Sequence, residues 1–296
     1  MEKNEIREKL LEFKEHKISK EDLLKQINSK QHINTNNQSK EQKNTTVNTI
    51  DANDSDIAII GMSCRFPFAN DLDEYWDIIK NGENAIIEVP SNRFDINKIY
   101  SNSGRENSTN CRWGGFLDQI DAFDPLFFQI SPKEAELMDP QQRLFLIEAW
   151  RTFENAGYSA ESLTKTKCGV FVGHADGDYK IGLINNNVPK DAHYFMGNSG
   201  AILSARISYL LNLKGPSISL DTACSSSLVA LHLACESIRS GDCQMALVGG
   251  VSAFVSPQLY LLAGSAGMLS SDGQCKAFDD SANGFVPSEG VGCVLI

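Results

Sequence analysis

The chain has 296 residues, 42% of them hydrophobic, which is enough for one sizeable core with a short appendage and too apolar for a disordered protein. A formal net charge of −11, from 27 basic and 38 acidic residues, excludes a general nucleic-acid binder, because no basic field meets the phosphates; a local basic patch for one acidic partner stays compatible. Eight cysteines, none in a CxxC pair, and an opening unlike a signal sequence predict reduced thiols in a cytoplasmic protein, and no apolar run is long enough for a membrane anchor.

From Glu5 to Asn28, Ile6, Leu10 and Phe13 and then Leu23, Leu24 and Ile27 recur at helical spacing, which predicts two short amphipathic helices over 1–28. So small a pair buries its own stripes poorly, and two readings fit it: a docking or linker element that meets a partner chain, or a solvated tail. Residues 29–54 are rich in Asn, Gln, Ser and Thr and read as a disordered polar linker, so the globular domain is expected over 55–296. Within it, apolar runs at Asp56–Ile60, Cys168–Gly173, Ser217–Leu220, Ala246–Gly249 and Val291–Ile296 predict buried strands. Leu72–Asn81, Gln141–Ala156 and Ser199–Asn212 predict amphipathic helices between them, the second through Leu146, Ala149, Trp150 and Phe153. Strands alternating with helices imply an α/β domain built on a mostly parallel sheet covered on both faces. Gly114-Gly115-Phe116 and the acidic, aromatic stretch after it read as an inserted excursion. The last strand is apolar to its final residue, so the core is expected to continue past Ile296.

Asp221 to Ser227 links the strand ending at Leu220 to a segment, Ser225–Ser240, that carries Leu228, Val229, Ala230, Leu231, Leu233, Ala234 and Cys235 and is predicted to be a core helix. Cys224 then stands at a helix N-terminus, where unpaired amides and the helix dipole draw a thiol of reference pKa ~8.5 toward thiolate, the nucleophilic form. The alternative is that Cys224 is one more small core hydrophobe; the strand-to-helix position favours the nucleophile. His16 and His32 fall outside the domain. His232 lies eight residues past Cys224, about 12 Å along a helix rising ~1.5 Å per residue, and reads as a satisfied core histidine. His174 and His193 stay open as bases for a cysteine-histidine pair. Asp176-Gly177-Asp178 lacks the further ligands of a calcium loop and reads as a turn with a helix cap, and Gly290-Val291-Gly292 opens no helix as a dinucleotide loop requires. No metal site and no cofactor bound by the domain itself are expected.

The run DTACSSSLVALHLACESIRSGDCQMALVGGV, Asp221 to Val251, resembles the nucleophile region of β-ketoacyl synthases, specifically the ketosynthase domains of modular type I polyketide synthases. IAIIGMSCRFPFA at Ile57–Ala69 resembles that family's opening strand, MDPQQRLFLIEAW at Met138–Trp150 its early helix, and GMLSSDGQCKAFDDSANGFVPSEGVG at Gly267–Gly292 the segment closing its first half. GFVPSEG, with VGHADGDY at Val172–Tyr179 and YFMGNSG at Tyr194–Gly200, is similar to the wording of synthases that borrow their acyltransferase in trans.

The resemblance implies a thiolase-like fold of two similar halves, each a five-stranded sheet with helices, of which this chain carries the N-terminal half. It implies that Cys224 takes an acyl chain from the phosphopantetheine arm of an acyl carrier protein, for decarboxylative condensation with a malonyl-type extender. Its backbone N–H would be one oxyanion donor. The family's two catalytic histidines belong to a histidine-glycine-threonine motif and to an asparagine-rich loop ending in glycine-histidine; neither motif is present, so no histidine here takes those roles. By resemblance Met196 and Asn198 line the acyl pocket, although helix-start packing explains them too. The implied partners are the carrier protein, a second copy paired through the strand Pro216–Leu220, and other synthase modules met through the N-terminal helices. Three other readings remain: a ketosynthase that passes the chain along without elongating it, a condensing enzyme using free coenzyme A thioesters, and a silent scaffold of this fold, against which Cys224 itself argues.

Overall fold

A computed structural model describes residues 56–101, 106–164 and 166–296. The chain divides into units 1–54 and 55–296, and everything described belongs to the second. The helices expected over 1–28 and the linker expected over 29–54 lie outside the described residues.

The order opens with β1 (Gly61–Arg65), α1 (Leu72–Asn81), β2 (Ile87–Glu88), β3 (Trp113–Gly114), α2 (Pro132–Leu137), α3 (Pro140–Asn155) and α4 (Ala160–Leu163). It continues with β4 (Cys168–His174), α5 (Tyr179–Asn185), α6 (Ala192–Gly197), α7 (Gly200–Leu210), β5 (Ser217–Leu220), α8 (Ser226–Arg239), β6 (Met245–Ser252), α9 (Gln258–Ser265) and β7 (Gly290–Leu295). Local chemistry accounts for the helix ends. Asp71 caps α1 by accepting the Glu74 amide at 2.9 Å, and Gly82 ends it at φ 65°, where glycine carries no Cβ penalty. Asp139 caps α3 with a proline in its first turn.

Five strands form the main sheet in the order β1-β7-β6-β4-β5. Strands β4–β5 and β4–β6 pair in parallel, whereas β7 pairs antiparallel with both β1 and β6, so four strands run one way, as expected of a mostly parallel sheet, and β7 alone runs against them. The cause lies after α9: the chain returns through an irregular loop instead of a helical crossover, and only an antiparallel return needs no crossover. Period-two alternation sorts the two faces. Val170 and Val172 of β4 and Leu247 and Val251 of β6 face a core with Leu144, Phe145, Ala149 and Phe153 of α3 and Leu203 and Ile207 of α7. Phe171, Ala246 and Val248 face a second core with Ala230 and Ala234 of α8.

The first strand starts five residues later than its apolar run predicts. Ile59 and Ile60 stay exposed, and the ladder begins where Gly61 lets β1 lie on α3: a Cβ there would sit 2.7 Å from the Ala156 Cβ and 2.8 Å from the Thr152 carbonyl. The excursion around Gly114 is a small unit of its own, in which β2 and β3 pair over Val89, Ile96, Cys111, Phe116, Tyr260 and Leu269. Glu289, fully buried, ties it to the sheet by pairing with Arg93 at 3.1 Å and accepting the Leu117 and Phe254 amides at 2.8 Å each. A buried carboxylate persists only with such a full set of partners.

The helix expected to lie in the core, α8, is buried along one stripe only: Ser226, Ala230, Ala234 and Ser237 face the sheet. Leu228, at 73% exposure, and Leu233 face outward, and His232 is exposed rather than a core histidine. Among the described residues a single sheet covers one side of this helix, and composition alone does not say which side.

Candidate active site

Three parallel strands, β4, β5 and β6, end on the same side, and the chain leaving β5 turns there into α8 with Cys224 in the turn. The carboxyl edge of parallel strands is where α/β folds place ligands. Ala223, the residue before the thiol, has φ 57°, in the left-handed region that alanine seldom enters. Side chains of the motif hold it there. Asp221 Oδ1 accepts the Ala223 amide at 2.8 Å, and Ser225 Oγ donates to the Thr222 carbonyl at 2.8 Å. Ser226 Oγ accepts the Thr222 amide at 2.9 Å and donates to the Ala223 carbonyl at 2.7 Å.

Two glycines let this turn rest directly on the sheet. A Cβ on Gly173 of β4 would lie 2.6 Å from the Ser226 carbonyl carbon and 2.7 Å from the Ser227 amide nitrogen, and one on Gly250 of β6 would lie 2.1 Å from Ser227 Oγ. Sequence reasoning missed both, together with Ser226. Their signal is parity: Gly173 shares a face with Phe171, and Gly250 with Ala246 and Val248.

Exposure separates Cys224 from most of the other thiols. Cys64, Cys111, Cys168, Cys243 and Cys293 are buried, Cys235 is half-buried, and only Cys224 and Cys275 are exposed. Burial pushes the thiol pKa up to about 11 in Cys64 and about 12 in Cys168, and raises it in Cys111 and Cys293 too, so these sulfurs resist becoming thiolates. Cys275 Sγ accepts the Val286 amide at 3.1 Å inside the 267–286 loop. Cys224 therefore combines exposure with the helix start.

The turn bearing Met196 and Asn198 is bolted to the α2–α3 junction. Gln142 Nε2 donates to the Met196 and Ser199 carbonyls at 3.1 Å each, and the Asp139 amide donates to the Gly197 carbonyl at 2.9 Å. Asn198 Nδ2 donates to the Leu137 carbonyl at 3.0 Å and the Tyr194 carbonyl at 2.8 Å. These bonds give Asn198 a bracing role, and no hydrogen bond among the described residues joins Met196 or Asn198 to Cys224. Arg206 of α7 extends the brace to Gln142 and Glu134 at 2.7 Å each. Of the histidines left open as bases, His193 faces Glu134 at 3.6 Å and the His174 ring packs where a Cβ of Gly200 would be; neither bonds Cys224. Asp178 stands at the start of α5 without capping it, because its carboxylate accepts the Val255 and Ser256 amides at 3.1 and 2.8 Å.

Residues 54–296 match the family described as β-ketoacyl synthase, N-terminal domain. The chain is 49% identical over 259 residues to the polyketide synthase PksL of Bacillus subtilis, an alignment covering 87% of this chain and 6% of that protein. Among solved structures it is similar to the ketosynthase from module 6 of the bacillaene synthase of Bacillus subtilis 168, at 49% identity and a TM-score of 0.69, covering 80% of this chain and 39% of that one. It is also similar to the oxazolomycin ketosynthase domain OzmH KS7 of Streptomyces albus, at 42% identity and a TM-score of 0.76, covering 80% of this chain and 41% of that one. The chain thus spans about two-fifths of solved ketosynthase chains and a small part of the curated synthases. The chain belongs to the β-ketoacyl synthase family, as the N-terminal domain of a polyketide-synthase ketosynthase with a thiolase-like fold.

Proposed function

We propose that Cys224 is the acyl-accepting nucleophile of this ketosynthase. The thiolate attacks the thioester carbonyl of an acyl chain on a carrier protein's phosphopantetheine arm; a new Cys224 S–C bond forms, and the phosphopantetheine thiol leaves with a proton. The Cys224 N–H supplies one oxyanion donor, and the acylated enzyme condenses with a malonyl-type extender as carbon dioxide leaves, giving a β-ketoacyl carrier protein. The observation that carries this reading is the exposed thiol at the start of α8, on a turn whose backbone is held in the left-handed region. Met196, half-buried beside the braced turn, is assigned to the acyl pocket, with Asn198 shaping it through the backbone. The motif wording supports a synthase that borrows its acyltransferase in trans, in a cytoplasmic assembly line; no described helix is long and apolar enough to cross a membrane.

The test offers the complete ketosynthase the same acyl group on a carrier protein and on free coenzyme A, and follows the mass gain by intact-protein mass spectrometry. Faster loading from the carrier, mapped to the Cys224 peptide, is expected. Equal or faster loading from coenzyme A would favour the free-thioester condensing enzyme, and loading without β-ketoacyl product on addition of extender would favour a chain-passing ketosynthase.

We also propose a homodimer through β5, which is the sheet's edge and has Ile218 exposed with Ser217 beside it. Short side chains on an unpaired edge suit close approach of a second copy across a two-fold axis. Sedimentation of the complete ketosynthase should give a dimer; a monomer at micromolar concentration contradicts the assignment.

A further inference from the structure

We infer that Ser226 is a positioning residue: its buried hydroxyl clamps the Thr222–Ala223 peptides and thereby holds Cys224 in its reactive orientation. The inference rests on the reading of Cys224 as nucleophile and adds to it the group that keeps the nucleophile in place.

Four backbone polar groups of Thr222 and Ala223 are each tied to a motif side chain, and Ser226 serves two of them with one oxygen, at 2.9 and 2.7 Å. The Ala223 carbonyl receives the Ser226 amide as well, at 3.1 Å. Asp221 and Ser225, which hold the other two groups, are exposed, so water competes for their bonds. Ser226 is 7% exposed and rests on Gly173, whose added Cβ would come within 2.8 Å of the Ser226 Cβ. Its position is therefore set by β4, and its hydroxyl carries that rigidity to the turn. Without the clamp, Ala223 at φ 57° has every reason to relax to negative φ, because alanine is strained there. Rotation about that residue swings the peptide joining Ala223 to Cys224, and with it both the thiol and the amide proposed as oxyanion donor. Glycine at 223 pays no such penalty.

A double variant separates the clamp from the strain that it opposes. Ser226→Ala in the complete ketosynthase should slow acyl loading of Cys224 about tenfold or more at saturating carrier-bound donor, with KM within about twofold, since misorientation affects the reacting geometry and not donor docking. Ala223→Gly alone should load within about threefold of wild type. The Ser226→Ala/Ala223→Gly protein should recover to within about threefold, because the strain that the clamp opposed is gone. Alkylation of Cys224 by iodoacetamide, read by peptide mapping, should follow the same order, which separates the clamp from the acyl chemistry. Acyl transfer that persists in Cys224→Ala sinks the nucleophile assignment, whereas the alkylation series still reports on the clamp. Wild-type rates in Ser226→Ala overturn the inference. So does a folded double variant that loads below about a tenth of the wild-type rate, and this variant reports even where Ser226→Ala alone does not fold.

Discussion

Replacing Cys224 by alanine should reduce acyl-enzyme formation by about 10³-fold or more, because the bond to the acyl carbon has no other sulfur to form on at that turn. The fold should survive. The side chain is exposed, alanine keeps the Cβ, and the bonds that shape the turn come from Asp221, Ser225 and Ser226 instead. The measurement is intact mass after incubation with acyl carrier protein, alongside thermal melting; Cys224→Ala should melt within a degree or two of wild type, as surface substitutions away from packing usually do. Cys275, the other exposed thiol, is the natural internal control. Its attachment to the Val286 amide should leave it unloaded by carrier-bound donors, and an acyl group mapped to Cys275 or Cys235 in the wild type would overturn the assignment.

Asp139→Asn should stabilise the protein at neutral pH, against the habit of core substitutions. Asp139 is buried at the start of α3, and burial, reinforced by the nearby Asp178 carboxylate, lifts its pKa from an ordinary 3.8 to about 6, although bonds from Gln141 and the charge of Arg143 pull the other way. The sign follows from linkage: a carboxyl whose folded pKa lies above its unfolded value contributes most below pH 3.8 and loses that contribution as pH rises through about 6. Above pH 6 the ionised group costs on the order of 3 kcal/mol relative to its neutral form. Asparagine carries no charge, and its Oδ1 keeps the acceptor role toward the Gln141 amide that Asp139 Oδ1 fills at 2.8 Å. Denaturant unfolding of the complete ketosynthase should therefore show a gain of about 2–3 kcal/mol at pH 8 and about half of that at pH 5. A gain independent of pH, or a loss at pH 8, would show that the carboxylate is held by partners that outweigh its burial.

Much of the architecture was legible in the chain. Leu72–Asn81 is helical to the residue, because Asp71 and Gly82 are strong caps on either side of one amphipathic stripe. Ser217–Leu220 and the run from Cys168 are strands where the apolar pattern predicts them. The first strand was misplaced because Ile57–Ile60 is as apolar as any buried run, and only the contact between Gly61 and α3 decides where pairing begins. The mostly parallel sheet was legible, but the reversal of β7 was not: alternation of strands and helices is visible locally, whereas the antiparallel return of β7 depends on a long irregular loop with no periodicity of its own.

At the site, the sequence by itself determined the thiol and its chemical company: a cysteine between strand and helix signals, flanked by Asp221, Thr222 and three serines, residue types whose short side chains can bond nearby backbone. Only the tertiary structure decided what that company does. Gly173 and Gly250 come from strands some 50 residues before and 25 residues after Cys224, and they bring the helix start against the sheet; Ser226 is buried as a result, and Ala223 is held at φ 57°. Local propensity favours none of this, since alanine avoids that conformation and serine prefers the surface. The burial of Glu289 belongs to the same class. A carboxylate reads as solvent-facing in sequence, and becomes a structural tie only when amides and a guanidinium from distant segments converge on it.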